Sequence, residues 1–200
     1  MNLIFEDEDK KSNVNIIKEI IIWIVCILLS VLAGYLVTKF AVEKTTIDGD
    51  SMGPTLNHDE EIIIDKLSYK FSKPDRFDVI VFMQEGKEHE YYNVKRILGL
   101  PGEKIQIKDG NVYIDGKRIE EVNVVDEINN PGLASETITL GDDEYFVLGD
   151  NRNQSEDSRF ASISMIKKDE IIGKAWIRIS PFGFINKLNR IEDAAQEESN

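Results

Sequence analysis

The hydrophobic pattern separates one long apolar run from a series of short alternating segments. Residues 20–38, IIIWIVCILLSVLAGYLVT, contain no charged side chain. A helix over this run would be about 28 Å long, close to the hydrocarbon thickness of a bilayer. The core helix of a soluble protein would carry a polar stripe at helical spacing, and this run has none. The pattern therefore predicts one transmembrane helix near the N-terminus.

A cleaved signal peptide is the alternative interpretation of the same run. The apolar part of a signal peptide spans about 7–15 residues and precedes a small-x-small cleavage site. This run is longer, and KFAV at 39–42 is a poor cleavage site, so an uncleaved anchor is favoured. Lysines 10, 11 and 18 precede the span and lysines 39 and 44 follow it. The excess of lysines before the span over those after it predicts that the N-terminal tail, residues 1–19, is cytoplasmic. The chain is thus predicted to be a single-pass protein of the cell membrane.

After residue 42 the pattern changes to short β segments. Strands are predicted at 60–65, 76–83, 104–108, 111–114, 144–150 and 171–180. The clearest signal is KIQIKDGNVYIDGKRI (104–119), where two Asp-Gly pairs separate alternating segments, as in successive hairpins. Residues 126–137 lack periodicity and are predicted to form a surface loop. The predicted fold is mostly β: an extracytoplasmic domain over 43–186, built as an antiparallel β-sheet or barrel or as two packed sheets.

The charge of the chain limits its partners. The formal net charge is −13, which argues against nucleic acid as a partner because phosphate binding needs clustered Lys and Arg. Part of this charge lies at the two ends, and both ends, including the acidic C-terminal tail at 187–200, are predicted to be solvated and disordered. The single cysteine, Cys26, lies in the apolar run and allows no intramolecular disulfide.

Ser51 lies in a short motif that two serine hydrolase patterns share. Gly49-Asp50-Ser51-Met52-Gly53 fits G-x-S-x-G and also looks like the serine motif of chymotrypsin-like proteases. Both patterns need a histidine base, and the two histidines, 58 and 89, follow the serine. That order excludes the chymotrypsin-like and subtilisin-like arrangements, and the α/β hydrolase sheet with its helices is missing. Both histidines are therefore predicted to be surface residues.

A neutral lysine is the other group that can activate a serine. Lysine is charged at neutral pH unless burial among apolar groups lowers its pKa. The best candidate is Lys95, because Val94, Ile97 and Leu98 surround it in a predicted strand. From spacing alone, a solvated strand lysine remains the alternative.

Four blocks, in order, resemble the type I signal peptidases, which are membrane-bound Ser–Lys proteases. The blocks are GDSMGPTL (49–56), RFDVIVF (76–82), VKRILGLPGE (94–103) and GDNRNQSEDSR (149–159). The single preceding span is similar to the Gram-positive-like branch of that family. A self-cleaving repressor protease would carry a DNA-binding domain in place of the span. An inactive, membrane-anchored module that binds peptides or wall components is the alternative from another class.

The resemblance implies a function and roles for individual residues. Ser51 would be the nucleophile and Lys95 the general base, with no metal or cofactor. Ser155 matches a serine that hydrogen-bonds the lysine, and Asp157 and Arg159 match a supporting ion pair. The implied partners are signal-peptide-bearing preproteins and the lipid bilayer. Some relatives use a serine hydroxyl two residues before the nucleophile as an oxyanion donor; here Gly49 leaves only the backbone N–H.

Three apolar residues follow the serine closely: Met52, Pro54 and Leu56. Core packing is the common role of such residues. The alternative is that they contact the substrate or the lipid surface where signal peptides arrive. The sequence leaves both possibilities open.

Overall fold

The computed structural model describes residues 2–83, 92–121 and 126–185, with side chains from Ile16 onward. The chain divides into two compact units, Met1–Ala41 and Val42–Asn200. The predicted C-terminal tail, residues 187–200, and His89 lie outside the described residues.

The first unit is a single helix, α1, over Asn2–Phe40. Its segment Ile16–Phe40 is long and apolar enough to cross a membrane, with mean hydropathy 2.8 and exposed side chains. The helix begins well before residue 20, so the prediction of a disordered N-terminal end is wrong for the stretch after Asn2. The reason is that extending an existing helix avoids the cost of nucleation, and the Glu and Lys of this stretch are good helix formers.

The second unit is mostly antiparallel β, as predicted. In the described residues its helix and strands are β1 (Val42–Thr46), β2 (Glu61–Asp65), α2 (Ser68–Phe71), β3 (Val79–Phe82), β4 (Asn93–Gly99), β5 (Lys104–Lys108), β6 (Asn111–Ile114), β7 (Lys117–Arg118), β8 (Ile138–Thr139), β9 (Glu144–Leu148), β10 (Ile166–Lys167), β11 (Ile171–Arg178) and β12 (Gly183–Phe184). The larger sheet has the order β1-β2-β11-β3-β4-β9-β10, with β12 paired to β11. The smaller sheet has the order β7-β6-β5-β8.

The two Asp-Gly turns form the hairpins that the sequence predicts. Asp109 and Gly110 have φ values of 49° and 75°, and Asp115 and Gly116 have values of 50° and 78°. Positive φ at both central residues is the requirement of a type I′ turn, which matches the twist of the flanking strands. Strands β5, β6 and β7 therefore follow one another as antiparallel neighbours.

The smaller sheet packs on the larger one through a shared hydrophobic cluster. Ile105 and Val112 of the smaller sheet join Leu98 of β4 and Phe146 of β9 in this cluster. A second cluster joins β2 and β3 to the loop after β1. β4 lies between β3 and β9, and every residue of it after Asn93 is buried.

Candidate active site

The loop that carries Ser51 leaves β1 and returns to β2. Its ends are joined by backbone hydrogen bonds from Ile47 N to Glu60 O (2.9 Å) and from Asp59 N to Ile47 O (3.0 Å). Ile47 and Leu56 are buried in the core cluster of β2 and β3. The loop is therefore held by the sheet below it, while the Ser51 side chain remains partly exposed.

Lys95 lies at the centre of β4, opposite Ile80 of β3. Its Nζ atom is hydrogen-bonded to Ser51 Oγ at 2.6 Å. Only 5% of the residue is exposed. Two residues that are 44 positions apart in the chain thus meet, and each is a residue that the sequence singles out.

Burial lowers the pKa of Lys95 from 10.5 to about 8. The charges of Asp157, Glu156 and Asp150 act against this shift, and that of Arg159 adds to it. Among the described residues, no carboxylate oxygen lies within 4.0 Å of the amine, so no direct ion pair holds the proton. A substantial neutral fraction is therefore present at mildly alkaline pH, and a neutral amine beside a hydroxyl can accept its proton.

The third part of the site is the segment after β9, residues 149–159. Asn151 N donates to the Ser51 carbonyl oxygen at 3.1 Å, and Asn151 Nδ2 donates to the Asp50 carbonyl oxygen at 3.2 Å. A Cβ atom on Gly149 would overlap both the Ser51 carbonyl oxygen and Ser155 Oγ. Glycine at 149 therefore allows this segment to pack directly against the serine loop.

Asp157 and Arg159 form the ion pair that the resemblance implies. Arg159 Nε and Nη2 donate to the two Asp157 carboxylate oxygens at 2.7 and 2.8 Å, and both side chains are almost fully buried. Asp157 also accepts from Gly149 N at 3.1 Å, and Arg159 donates to the Arg152 carbonyl oxygen at 2.6 Å. The pair fixes the backbone of the segment that borders the site.

Ser155 is close to the site, but its implied hydrogen bond to Lys95 is not formed in this structure. The residue is 8% exposed, and its Oγ atom has no hydrogen-bond partner among the described residues. A buried hydroxyl without a partner is uncommon and costs free energy. The hydroxyl is thus free to bind a group that enters the site.

Sequence reasoning missed a second buried ion pair, which joins all three parts of the site. Arg96 donates to the two Asp150 carboxylate oxygens at 2.7 and 2.5 Å, and Thr55 Oγ1 donates to the same carboxylate at 2.5 Å. Arg96 is fully buried and also donates to the Phe77 carbonyl oxygen. The signal available in the sequence was a second charged residue, Arg96, directly after Lys95 in a strand that also holds Val94, Ile97 and Leu98.

The backbone N–H of Gly49 already has an acceptor. Gly49 N donates to His58 Nδ1 at 3.0 Å, so in this conformation it is not available to an oxyanion. The Ser51 N–H has no acceptor among the described residues, which leaves it available to a developing oxyanion. His58 itself is exposed, as predicted, and makes no hydrogen bond to Ser51 Oγ.

Two of the three apolar residues after the serine belong to the core. Met52 is 1% exposed and Leu56 is fully buried, so the lipid-contact alternative is wrong for both. Pro54 is exposed. The loop turns back after Met52, with Leu56 N donating to the Met52 carbonyl oxygen, and this turn directs the two side chains inward.

An exposed aromatic cluster lies instead on β11 and β12. Trp176, Phe182 and Phe184 are 43%, 74% and 57% exposed, and their rings contact one another with centroid distances of 6.4 and 6.1 Å. Grouped exposed aromatic side chains usually mark an interaction surface. No hydrophobic periodicity marks this cluster, because it combines residues from a strand and from the turn after it.

The described residues hold no group of three or more His, Cys, Asp or Glu side chains placed to bind a metal ion.

Comparisons with known proteins give consistent matches. The family model described as "Signal peptidase, peptidase S26" matches residues 14–180. A signal peptidase IB of Staphylococcus aureus is 34% identical over 82% of this chain and 92% of its own length. A probable signal peptidase I-2 of Synechocystis sp. is 32% identical over 82% of this chain and 73% of its own length. The crystal structure of a signal peptidase I from Enterococcus faecalis is 30% identical, with a TM-score of 0.43, and covers 52% of this chain and 97% of that one.

Proposed function

This chain belongs to the signal peptidase family, peptidase S26, and on that premise we propose that it removes N-terminal signal peptides from exported preproteins. We propose that it is a membrane-anchored serine endopeptidase with Ser51 as nucleophile and Lys95 as general base. The observation that carries the proposal is the 2.6 Å hydrogen bond between these two side chains, with the lysine 95% buried.

The reaction follows from the state of the lysine. Neutral Lys95 takes the proton of Ser51 as Oγ attacks the peptide carbonyl carbon, and the Ser51 N–H stabilises the resulting oxyanion. The protonated lysine then gives its proton to the leaving amine. Water activated by the neutral lysine hydrolyses the acyl-enzyme and restores the serine.

The edge of the larger sheet offers a place for an extended substrate. β1 ends the strand order of this sheet and runs directly into the serine loop. A peptide added beside such an edge forms main-chain hydrogen bonds, and shallow pockets then select small side chains near the cut. A signal peptide fits this mode because its residues one and three positions before the cut are small.

The membrane arrangement is part of the proposal. α1 would span the bilayer with the N-terminus in the cytoplasm, and the β domain would face outward, where exported preproteins arrive. Only Ala41 separates α1 from β1 along the chain. The aromatic cluster on β11 and β12 supports lipid contact better than Met52 and Leu56 do, since it is exposed.

The test is cleavage of a purified preprotein by the full chain in detergent. We expect Ser51→Ala and Lys95→Met to abolish cleavage, because the first removes the nucleophile and the second replaces the base with an apolar side chain of similar length. Lys117→Met, on an exposed strand of the smaller sheet, is the control and should cleave normally.

Full cleavage by either site variant would contradict the proposed dyad. A wild-type chain that cleaves no preprotein, and whose Ser51 is not labelled by a serine-reactive acylating reagent, would favour a binding module over an enzyme.

A further inference from the structure

The backbone just before Ser51 is held by a histidine side chain. Gly49 has φ of +89°, a conformation open chiefly to glycine, and its N–H points to His58 Nδ1 at 3.0 Å. His58 lies at the other end of the same loop, nine residues later. This hydrogen bond therefore closes the loop across the nucleophile.

The other contacts of the loop hold different atoms. Asn151 holds the carbonyl oxygens of Asp50 and Ser51, and Gly53 N donates to the Asp50 carbonyl oxygen at 3.1 Å. Within the described part of the chain, His58 Nδ1 is the one side-chain acceptor of an N–H group from residues 48–51. The bond to His58 fixes the peptide plane between Asp48 and Gly49, which leads into Asp50 and Ser51. The Ser51 N–H belongs to the next-but-one peptide, whose Asp50 carbonyl oxygen is held by Asn151 and Gly53.

The hydrogen bond requires one protonation state of the ring. Nδ1 can accept from Gly49 only when it carries no proton, which places the single proton of the neutral ring on Nε2. Two carboxylates lie within 4.0 Å of the ring: Asp48 Oδ1 is 3.5 Å from Nδ1, and Asp59 Oδ1 is 3.5 Å from Nε2. In the doubly protonated ring, Nδ1–H would turn to Asp48, and Gly49 N–H would lose its acceptor.

We propose that His58 is a positioning residue for the nucleophile loop. Through the Gly49 N–H it fixes the peptide plane that leads into Asp50 and Ser51, and it can accept this hydrogen bond only while Nδ1 carries no proton. This role rests on the proposed peptidase function. It does not make His58 a catalytic base, since its contact is with Gly49 and not with Ser51 Oγ.

Two substitutions in the full chain test the proposal. In His58→Ala the acceptor is lost, and kcat should fall about 3- to 10-fold, the effect of one hydrogen bond, with KM unchanged. In His58→Asn, the side-chain Oδ1 occupies the place of Nδ1 and keeps the acceptor, so activity at pH 9 should match that of the wild type. Both variants replace an exposed side chain, so both should fold.

Rescue by asparagine separates the acceptor atom from the ring that carries it. His58→Asn keeps an acceptor and removes the ring, so its activity should exceed that of His58→Ala. Equal loss in the Ala and Asn variants, or no loss in the Ala variant, would overturn the proposal.

A measurement without substrate keeps this proposal distinct from the proposed function. The Gly49 amide should exchange its hydrogen faster in His58→Ala than in the wild type. In His58→Asn it should stay as protected as in the wild type. Protection that does not depend on residue 58 would overturn the role of His58 even if cleavage is confirmed.

Discussion

Lys95 differs from the other described lysines in having both low exposure and a serine hydroxyl as its hydrogen-bond partner. Transfer of an ammonium group into a poorly hydrated site disfavours its charged form. The nearby carboxylates of Asp157 and Asp150 are each taken up by a buried arginine, so they offset this effect only in part. The pKa of Lys95 is therefore about 8, so a neutral amine that can act as a general base is present at mildly alkaline pH.

The pH profile of cleavage should report this lysine. Below about pH 8 the protonated form dominates, so kcat/KM should fall about tenfold for each pH unit, and above about pH 8 it should level off. Initial rates at substrate concentrations well below KM, measured from pH 6 to 10, give the profile. A profile that is flat between pH 6 and 9 would contradict the proposed base.

The same pKa has a consequence for stability. Between about pH 8 and 10.5 the unfolded chain binds more protons at this lysine than the folded chain does, so folding becomes more favourable as pH rises. Relative to Lys95→Met, the wild type should therefore gain on the order of 3 kcal/mol across this window. Denaturant unfolding of both proteins in detergent at pH 7.5 and 10.5 provides the comparison.

Single residues could be predicted only where the signal was local. The apolar neighbours of Lys95 in the chain favoured its burial, which the structure shows, although spacing alone left a solvated lysine open. Met52 and Leu56 could not be assigned, since alternation with Pro54 fits an exposed loop as well as a buried one. The bond between His58 and Gly49 depends on the path of the loop, which is set by core contacts of Ile47 and Leu56.

At the scale of elements, the site is the meeting point of the serine loop, β4 and the segment after β9. Arg96 of β4 forms an ion pair with Asp150 of the segment after β9, and Thr55 of the serine loop donates to the same Asp150 carboxylate. Both charged groups are about 1% exposed. Loss of one partner would leave the other charge buried without a counter-ion, which is far more costly than loss of an exposed pair.

Asp150→Ala should therefore destabilise the protein by about 3–5 kcal/mol and also lower cleavage, because Thr55 loses its acceptor. Glu61→Ala, which breaks the exposed pair with Lys44, is the matched control and should cost at most about 1 kcal/mol. Denaturant unfolding in detergent measures both values. Equal stability of the two variants would show that the buried pair does not hold the elements together.

The sequence predicts elements well when their partners are adjacent in the chain. The β5–β6–β7 hairpins follow from two Asp-Gly turns, and β2, β3, β9 and β11 from the runs at 60–65, 76–83, 144–150 and 171–180. In contrast, β10 and β12 have two residues each. They form on the free edge of β9 and on the end of β11 that extends beyond its pairing with β3. β1 (VEKTT) has little apolar character and is ordered by its pairing with β2.

At the scale of the whole molecule, local pattern determined the fold class but not the strand order. β11 lies between β2 and β3, although more than eighty residues separate it from either. Such an order depends on which apolar faces fit together, and this information is spread over the whole chain. The same pairing brings Trp176 beside Phe184 and creates the exposed aromatic cluster.

Lipid contact by this cluster can be measured in the full chain, because the protein has only two tryptophans, Trp23 and Trp176. In Trp23→Phe, reconstituted in liposomes, the remaining fluorescence comes from Trp176. We expect brominated phospholipid to quench it, since half-exposed indoles partition to the membrane interface. Adding Phe182→Ser and Phe184→Ser should reduce the quenching, because the apolar area that favours insertion is lost. Leu133→Ser, at an exposed apolar residue in the short 3₁₀ helix Gly132–Ser135, is the control, and equal fluorescence in brominated and ordinary lipid would exclude the contact.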